Sequence, residues 1–214
     1  MINIPNNLKS IRKKIPSNVS LVAVSKTKPN TDILAAYNTG QRIFGENKVQ
    51  ELEKKQKELP NDIQWHMIGH LQKNKVKYIA PFVSLIHTVD SIKLIQEIDK
   101  RAYQNNRIIN CLLQVYIAEE NTKFGFRIQE IEQKIDELRK FKNINIKGLM
   151  GMATFTKDLN QINSEFADIS RLFEKIKTKK INTLSIGMSG DYQLAINNGS
   201  NMIRIGSAIF GKRS

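Results

Sequence analysis

The stretch LVAVSKTKP, residues 21–29, decides how the rest of the chain is read. Leu21, Val22, Ala23 and Val24 make an unbroken apolar run with no polar alternation, the pattern of a strand buried on both faces, as in a parallel sheet. Pro29 ends the segment. Lys26 shares parity with Val22 and Val24, so if those two point into the core, its ammonium is aimed the same way at the strand's carboxyl end. A lysine there is costly unless it has chemistry to do: desolvated amines lose their proton near neutral pH and attack carbonyls to form Schiff bases. The plainer alternative is a surface lysine just beyond a strand.

On either side of this strand the same unit recurs. Ile4, Leu8, Ile11 and Ile15 recur at helical spacing and predict an amphipathic helix ahead of it. After Pro29, Asn30 and Thr31 start a helix that Gly40 stops. A short strand over 42–45 is followed by a helix from Val49 closed by Pro60, then a strand from Trp65 and a short helix from Lys73 closed by Pro81. A strand from Ser84 leads to a helix over 92–103, capped by Asp90 or Ser91, with Leu94, Ile95 and Ile98 inward. Strand five is expected over 111–117, carrying Tyr116. A helix marked by Ile128, Ile131, Ile135 and Leu138 and a strand over 144–150 come next. Leu159, Ile162, Phe166, Ile169, Phe173 and Ile176 mark the longest helix, before a strand from Thr183. A short helix around Ala195 and Ile196 is stopped by Gly199, a last strand starts at Met202, and a single helical turn at Ser207 closes the chain.

Eight strands, each followed by helix and none close enough to a neighbour for a hairpin, require crossover connections. The expected fold is a single-domain α/β (β/α)8 barrel of the TIM type over residues 1–214, preceded by an N-terminal helix. An open doubly wound sheet is the alternative, but no G-x-G-x-x-G follows the first strand, so its dinucleotide-binding form lacks the phosphate loop.

Composition bounds the function. With 214 residues and 40% hydrophobic content, one sizeable core can be buried. No apolar run reaches membrane-spanning length, and the N-terminus lacks the apolar stretch of a signal peptide, so a cytoplasmic protein without a membrane partner is expected. Cys111, alone of its kind, lies in the run CLLQVYI and is expected to be a small buried hydrophobe. The formal charge of +14 raises nucleic acid as a partner. The lysines fall in separate groups, however (Lys13 and Lys14, Lys54 and Lys55, and those within 73–77 and 177–180), each on the polar side of an expected helix. A solvated exterior, not nucleic-acid binding as the main role, is the reading. No H-x-x-x-H, C-x-x-C or paired carboxylate cluster suggests a metal.

In a barrel, reactive groups gather at the carboxyl ends of the strands, and the loops after strands seven and eight commonly hold phosphate on backbone amides. Strand seven runs into Gly187, Met188, Ser189 and Gly190, and strand eight into Gly206 and Ser207. Glycines let backbone approach an anion, and the two serines add hydroxyl donors; turn chemistry alone would also put small residues there. A Schiff-base lysine on strand one facing such a cradle points to an aldehyde that carries phosphate, and so to pyridoxal 5'-phosphate. Arg204, among apolar Met202, Ile203 and Ile205, is read as inward-facing. His66, in an apolar strand, suits a hydrogen-bonded core histidine better than a catalytic base.

The blocks LVAVSKTKP, FGENKVQE, WHMIGHLQKNKVK, IHTVDS, KFGF, GLMGMAT, LSIGMSGDYQLAI and IRIGSAIFG, in that order from near residue 20 onward, resemble the signatures of the pyridoxal phosphate homeostasis proteins. That family is a barrel similar to the N-terminal domain of alanine racemase. The resemblance implies that Lys26 is the Schiff-base lysine, that Ser189, Gly206 and Ser207 take the phosphate, and that Arg204 faces the pyridine nitrogen. It also implies that Asn47, His66 and Met152 line the ring's surroundings. The chain departs from those blocks at Tyr116, where Asn is usual, near Ala153 and Thr154, where a small residue or Pro is usual, and at Lys73, where Ser is usual.

The function implied is binding of pyridoxal 5'-phosphate as a Schiff base in intracellular homeostasis of that cofactor. Pyridoxal-phosphate-dependent apoenzymes and amino acids are the further partners expected, for a chain read as a monomer. A racemase-like enzyme acting on amino acids is the competing reading; it needs acid/base groups on both faces of the cofactor, one of which comes from an additional domain in the racemase fold, so no robust turnover is expected. A lysine-dependent aldolase on the same barrel is a third reading, separable by the absence of a coloured adduct.

Overall fold

The computed structural model describes residues 2–119 and 124–211. Strands β1 (Ser20–Val24), β2 (Ile43–Glu46), β3 (Gln64–Met67), β4 (Leu85–Val89), β5 (Ile109–Val115), β6 (Ile144–Gly151), β7 (Thr183–Ser185) and β8 (Met202–Ile205) pair in sequence order as a closed barrel. All neighbours are parallel, and β8 returns to β1 with Val22 opposite Arg204. Helix α1 (Ile4–Lys14) precedes the barrel. Around it run α2 (Asn30–Tyr37), α3 (Val49–Glu58), α4 (Val76–Ile79), α5 (Ile92–Gln104), α6 (Ile128–Leu138), α7 (Leu159–Ile176), α8 (Tyr192–Asn197) and α9 (Ser207–Phe210). The (β/α)8 barrel of the TIM type with a leading helix is thus the observed architecture. Among the described residues no helix is long and apolar enough to cross a membrane.

The unbroken apolar runs divide by parity into two cores, because successive strand residues point to opposite faces. Val22, Leu85, Leu112, Met150 and Met202 form a small cluster inside the barrel, with Ile43 and Met152 packed on it. Leu21, Ala23, Phe44, Trp65, Met67, Ile86, Leu149 and Ile203 belong to the larger cluster that the helices cover with residues such as Leu52, Ile98, Ile131 and Phe166. The strand pattern at 21–24 is therefore buried on both sides for two reasons: barrel interior on one face, helix layer on the other. Cys111 is fully buried, and burial pushes its thiol well up from the usual range.

Several expectations shift. Strand five starts at Ile109, two residues earlier than the apolar run suggested, and ends at Val115, so Tyr116 lies just beyond it and donates its amide to the Phe126 carbonyl at 2.9 Å. Leu159 begins α7 but is exposed, since it stands on the solvent side of the first turn. Ser91 caps α5 through Leu94 N at 3.3 Å, whereas Asp90 faces His70 Nδ1 at 3.2 Å. Lys55 is not on the polar side of its helix: it is buried, as developed below. In the block KFGF, Lys123 lies outside the described residues.

Candidate functional site

One cleft of about 410 Å³ opens at the carboxyl ends of the strands, and Lys26, Asn47, Met152, Ser189, Arg204, Gly206 and Ser207 all line it. These residues come from β1, β2, β6, β7 and β8 or the loops that follow them, up to about 180 residues apart in sequence, and closure of the barrel is what joins them. Lys28, Ile68, Phe155 and Met188 complete much of the wall. His66 is not part of that wall. It is buried and bonds to His87 instead, as the core-histidine reading anticipated.

Lys26 leaves β1 in a turn over residues 25–28, closed by Lys28 N donating to the Ser25 carbonyl at 3.0 Å. Thr27 follows it with φ of 65°, in the left-handed region that a β-branched residue seldom adopts. Ser25 alternates to the opposite side, fully buried, its hydroxyl donating to Glu46 Oε1 at 2.6 Å.

Asn47 owes its position to Gly69. A Cβ on Gly69 would stand 2.2 Å from the Asn47 carbonyl oxygen, so only glycine lets the loop after β3 press against the loop after β2. The Thr88 hydroxyl holds the Gly69 carbonyl at 2.7 Å. After β6, Met152 is followed by Thr154, whose amide and hydroxyl both donate to the buried carboxylate of Glu165 on α7, at 2.6 and 2.5 Å. That pair gives the departure from the family blocks at Thr154 a structural role.

The loops after β7 and β8 meet at Ser189. Its Oγ accepts from the amides of Gly206, at 3.2 Å, and Ala208, at 3.4 Å, where α9 begins. Gly187 turns the chain out of β7 with φ of 95°, and a Cβ there would lie 2.6 Å from Ala195. The Met188 amide donates to Asp191 Oδ1 at 2.5 Å. Burial raises the Asp191 carboxyl, opposed by that bond and by the positive charge of Arg204. Two backbone amides converging on one oxygen, with the Ser207 hydroxyl and two lysines on the same cleft, form a donor set suited to an anion. Space is present too: a Cβ on Gly190 would meet nothing within 4 Å, and one on Gly206 only ordinary contacts with Val24.

Arg204 is buried, the reverse of an outward-facing arginine, and three of its five N–H groups are held by protein acceptors. Nη1 donates to the Ser185 carbonyl and to Ser185 Oγ, both at 2.7 Å, and Nη2 to the Gly151 carbonyl at 2.9 Å. Burial lowers it to about 10, partly countered by Asp191, so it stays charged at neutral pH. Behind it Ser185 Oγ lies 3.1 Å from His87 Nδ1, and His87 Nε2 lies 3.0 Å from His66 Nδ1. Because Oγ already accepts from Arg204, its own hydrogen is available to His87 Nδ1, which makes His87 Nε2 the donor to His66. The wire then carries one polarity from guanidinium to ring. Burial holds His66 down to about 3 and His87 well below its ordinary value, the latter also through its neighbours His66 and Arg204, so both rings are neutral.

Sequence reasoning missed His87, Ser185 and the buried charges around Lys55. Parity was the signal available for two of them: His87 is two residues from inward-facing Leu85, and Ser185 is paired with Met202. Among the described residues, no group of three or more His, Cys, Asp or Glu side chains could hold a metal ion.

The family model for the alanine racemase N-terminal domain matches residues 2–214. The pyridoxal phosphate homeostasis protein of Pasteurella multocida (strain Pm70) is 38% identical over 210 residues, covering 94% of this chain and 89% of its own length. PipY of Synechococcus elongatus PCC7942 has been solved without PLP and with PLP bound; these structures superimpose with TM-scores of 0.93 and 0.87 at 34% identity, over 97% of this chain and 100% of theirs. With both the family model and a relative of this similarity spanning the barrel and its cleft, the chain belongs to the pyridoxal phosphate homeostasis proteins, built on the fold of the alanine racemase N-terminal domain.

Proposed function

We propose that this protein binds pyridoxal 5'-phosphate covalently and reversibly through Lys26 and serves intracellular homeostasis of that cofactor, storing and delivering it while limiting the free reactive aldehyde. The observation that carries the reading is that an amine delivered by β1 and a converging set of anion donors delivered by the loops after β7 and β8 line the same cleft. When bound, the cofactor supplies an aldehyde that condenses with a primary amine, a phosphate, and a pyridine ring that acts as an electron sink when its nitrogen is protonated.

The chain's own residues then have separable tasks. The hydroxyls of Ser189 and Ser207 hold the phosphate together with the amides of Gly206 and Ala208, which exchange Ser189 Oγ for a phosphate oxygen. Arg204, fixed by Ser185 and Gly151, presents a donor that stays charged at neutral pH to the ring nitrogen, and a guanidinium has no lone pair with which to accept a proton. Asn47 and Met152 flank the ring. His66 acts indirectly, through His87 and Ser185, on where Arg204 sits.

Turnover of amino acids is not part of this proposal. Among the described residues lining the cleft, the titratable side chains are Lys26, Lys28 and Arg204, with no carboxylate, histidine, tyrosine or cysteine to move a proton on a second face. His66 and His87 are sealed away and neutral.

The test is an absorption spectrum of purified protein mixed with pyridoxal 5'-phosphate, before and after borohydride reduction and with mass analysis, on wild type and Lys26→Ala. Wild type is expected to show a visible band and a reducible 1:1 adduct, and the variant neither. A 1:1 reducible adduct in Lys26→Ala removes the assignment, and rapid α-proton exchange of added amino acids would restore the racemase reading.

A further inference from the structure

Behind Lys26, on the side away from the cleft, four polar side chains are packed between β1, β2 and α3. Lys55 Nζ donates to the Ser25 carbonyl at 2.8 Å, to Glu46 Oε1 at 2.8 Å and to Glu51 Oε1 at 2.6 Å. An ammonium has three hydrogens, so this one is fully used. Its side chain is 6% exposed and that of Glu46 is fully buried. Glu51 Oε1 also accepts from the Thr27 amide at 2.6 Å, and the Ser25 hydroxyl donates to Glu46 Oε1 at 2.6 Å. The residue before Lys26 and the residue after it are therefore both tied to the same buried charges.

Thr27 explains why a tie is needed. It is the third residue of the turn over 25–28, a position where positive φ favours glycine or asparagine, yet here it is a β-branched residue at 65°. Strained backbone of this kind persists only where its surroundings over-determine it, and it gathers at functional sites. Without the bond from Glu51, the turn is free to relax toward extended backbone. Lys26, the residue between the two anchors, would then leave the strand in another direction.

We propose that Glu51, Lys55 and Glu46 are positioning residues for Lys26: they clamp Ser25 and Thr27 from the helix side and so aim the lysine into the cleft. This rests on the assignment of Lys26 given above. None of the three lines the cleft, so they act through the backbone and not by touching the cofactor.

The test uses the full chain with Glu51→Ala, Lys55→Met, the double variant Glu51→Ala with Thr27→Gly, and Glu53→Ala as control. Glu53 lies on α3 in an exposed pair with Lys57. In the protein without cofactor, amide exchange at Thr27 is expected to speed up by about tenfold or more in Glu51→Ala, the loss of one charge-assisted bond. The second-order rate of capture of pyridoxal 5'-phosphate, followed by visible absorbance, is expected to fall by a similar factor of about ten. Glycine at 27 adopts the left-handed turn without strain, so the double variant should recover most of that rate, a rescue that general loss of stability would not give. Glu53→Ala should change neither readout. If Lys55→Met fails to fold, Glu51→Ala and its glycine rescue decide the matter. Faster Thr27 exchange with an unchanged capture rate, or a slowed rate that glycine does not rescue, overturns the positioning role while leaving Lys26 in place. A Lys26→Ala protein that keeps the reducible adduct overturns the underlying assignment instead.

Discussion

Lys26 and Lys55 show how position decides what an amine does: one lines a cleft, and the other spends all three of its hydrogens inside the protein. Glu46 is the less settled partner in that arrangement. Burial raises its carboxyl to about 7; the charge and hydrogen bond of Lys55 and the Ser25 hydroxyl offset this only in part, and the negative charge of Glu51 adds to the rise. A carboxyl whose folded value lies above its ordinary 4.5 adds stability that is complete below that value and is lost as pH rises through about 7. His66, held down from 6.5 to about 3, works the other way, with its stability present above 6.5 and lost as pH falls toward 3. Glu46→Gln removes the first slope only. Its melting temperature relative to wild type should climb between pH 5 and pH 7.5, by an amount equivalent to on the order of 3 kcal/mol at most. A difference that stays constant over that range would mean that Glu46 does not titrate there. Arg204→Met should leave the Ser185 and Gly151 carbonyls without their donor, costing on the order of 2–3 kcal/mol, or a fall of roughly 5–10 °C in the melting temperature measured without cofactor.

Elements were easier to read than the contacts between them. The sequence at 21–24 identified a two-sided strand because four consecutive apolar residues have no other economical use at that length, and the eightfold alternation followed from the same signal. Strand five slipped because Ile109 and Asn110 put a polar residue on the interior parity, where the apolar criterion expects none. Lys55 escaped notice since a lysine run on an amphipathic helix reads as solvated, and only the packing of α3 against the ends of β1 and β2 reveals three acceptors around it. The cleft residues were legible because glycine and serine at strand ends carry a chemical signature; Gly69 was not, as its role is a distance to Asn47. A pair of glycine substitutions separates those cases. Gly69→Ala would force a Cβ against Asn47 backbone and should destabilise by about 2 kcal/mol or more, with weaker cofactor capture. Gly190→Ala, in open space, should leave thermal stability within about 0.5 kcal/mol of wild type or raise it slightly. Equal effects from the two, read by thermal and urea unfolding, would contradict the close approach of the two loops.

At the scale of the molecule, a closed sheet makes distant parts of the chain depend on one another. Helix α1 docks where the chain returns, with Asn7 Nδ2 donating to the Ile209 carbonyl at 2.9 Å and Leu8 buried. The N-terminal helix therefore packs on the last turn, which follows β8, and on α2, which follows β1. We expect one cooperative transition, with far-ultraviolet circular dichroism and the fluorescence of Trp65 coinciding in urea; two separated midpoints would divide the chain into independent units.

Inside the barrel, Arg204 at the cleft and the two neutral histidines behind it are buried together with the apolar cluster of Val22, Leu85, Leu112, Met150 and Met202. The barrel is consequently a cup and not a tube. With this interior filled among the described residues, what enters through the mouth leaves by the mouth, past Phe155 and Met188 on the lip, and a recipient waiting for the cargo must compete with its fall back into the same vessel.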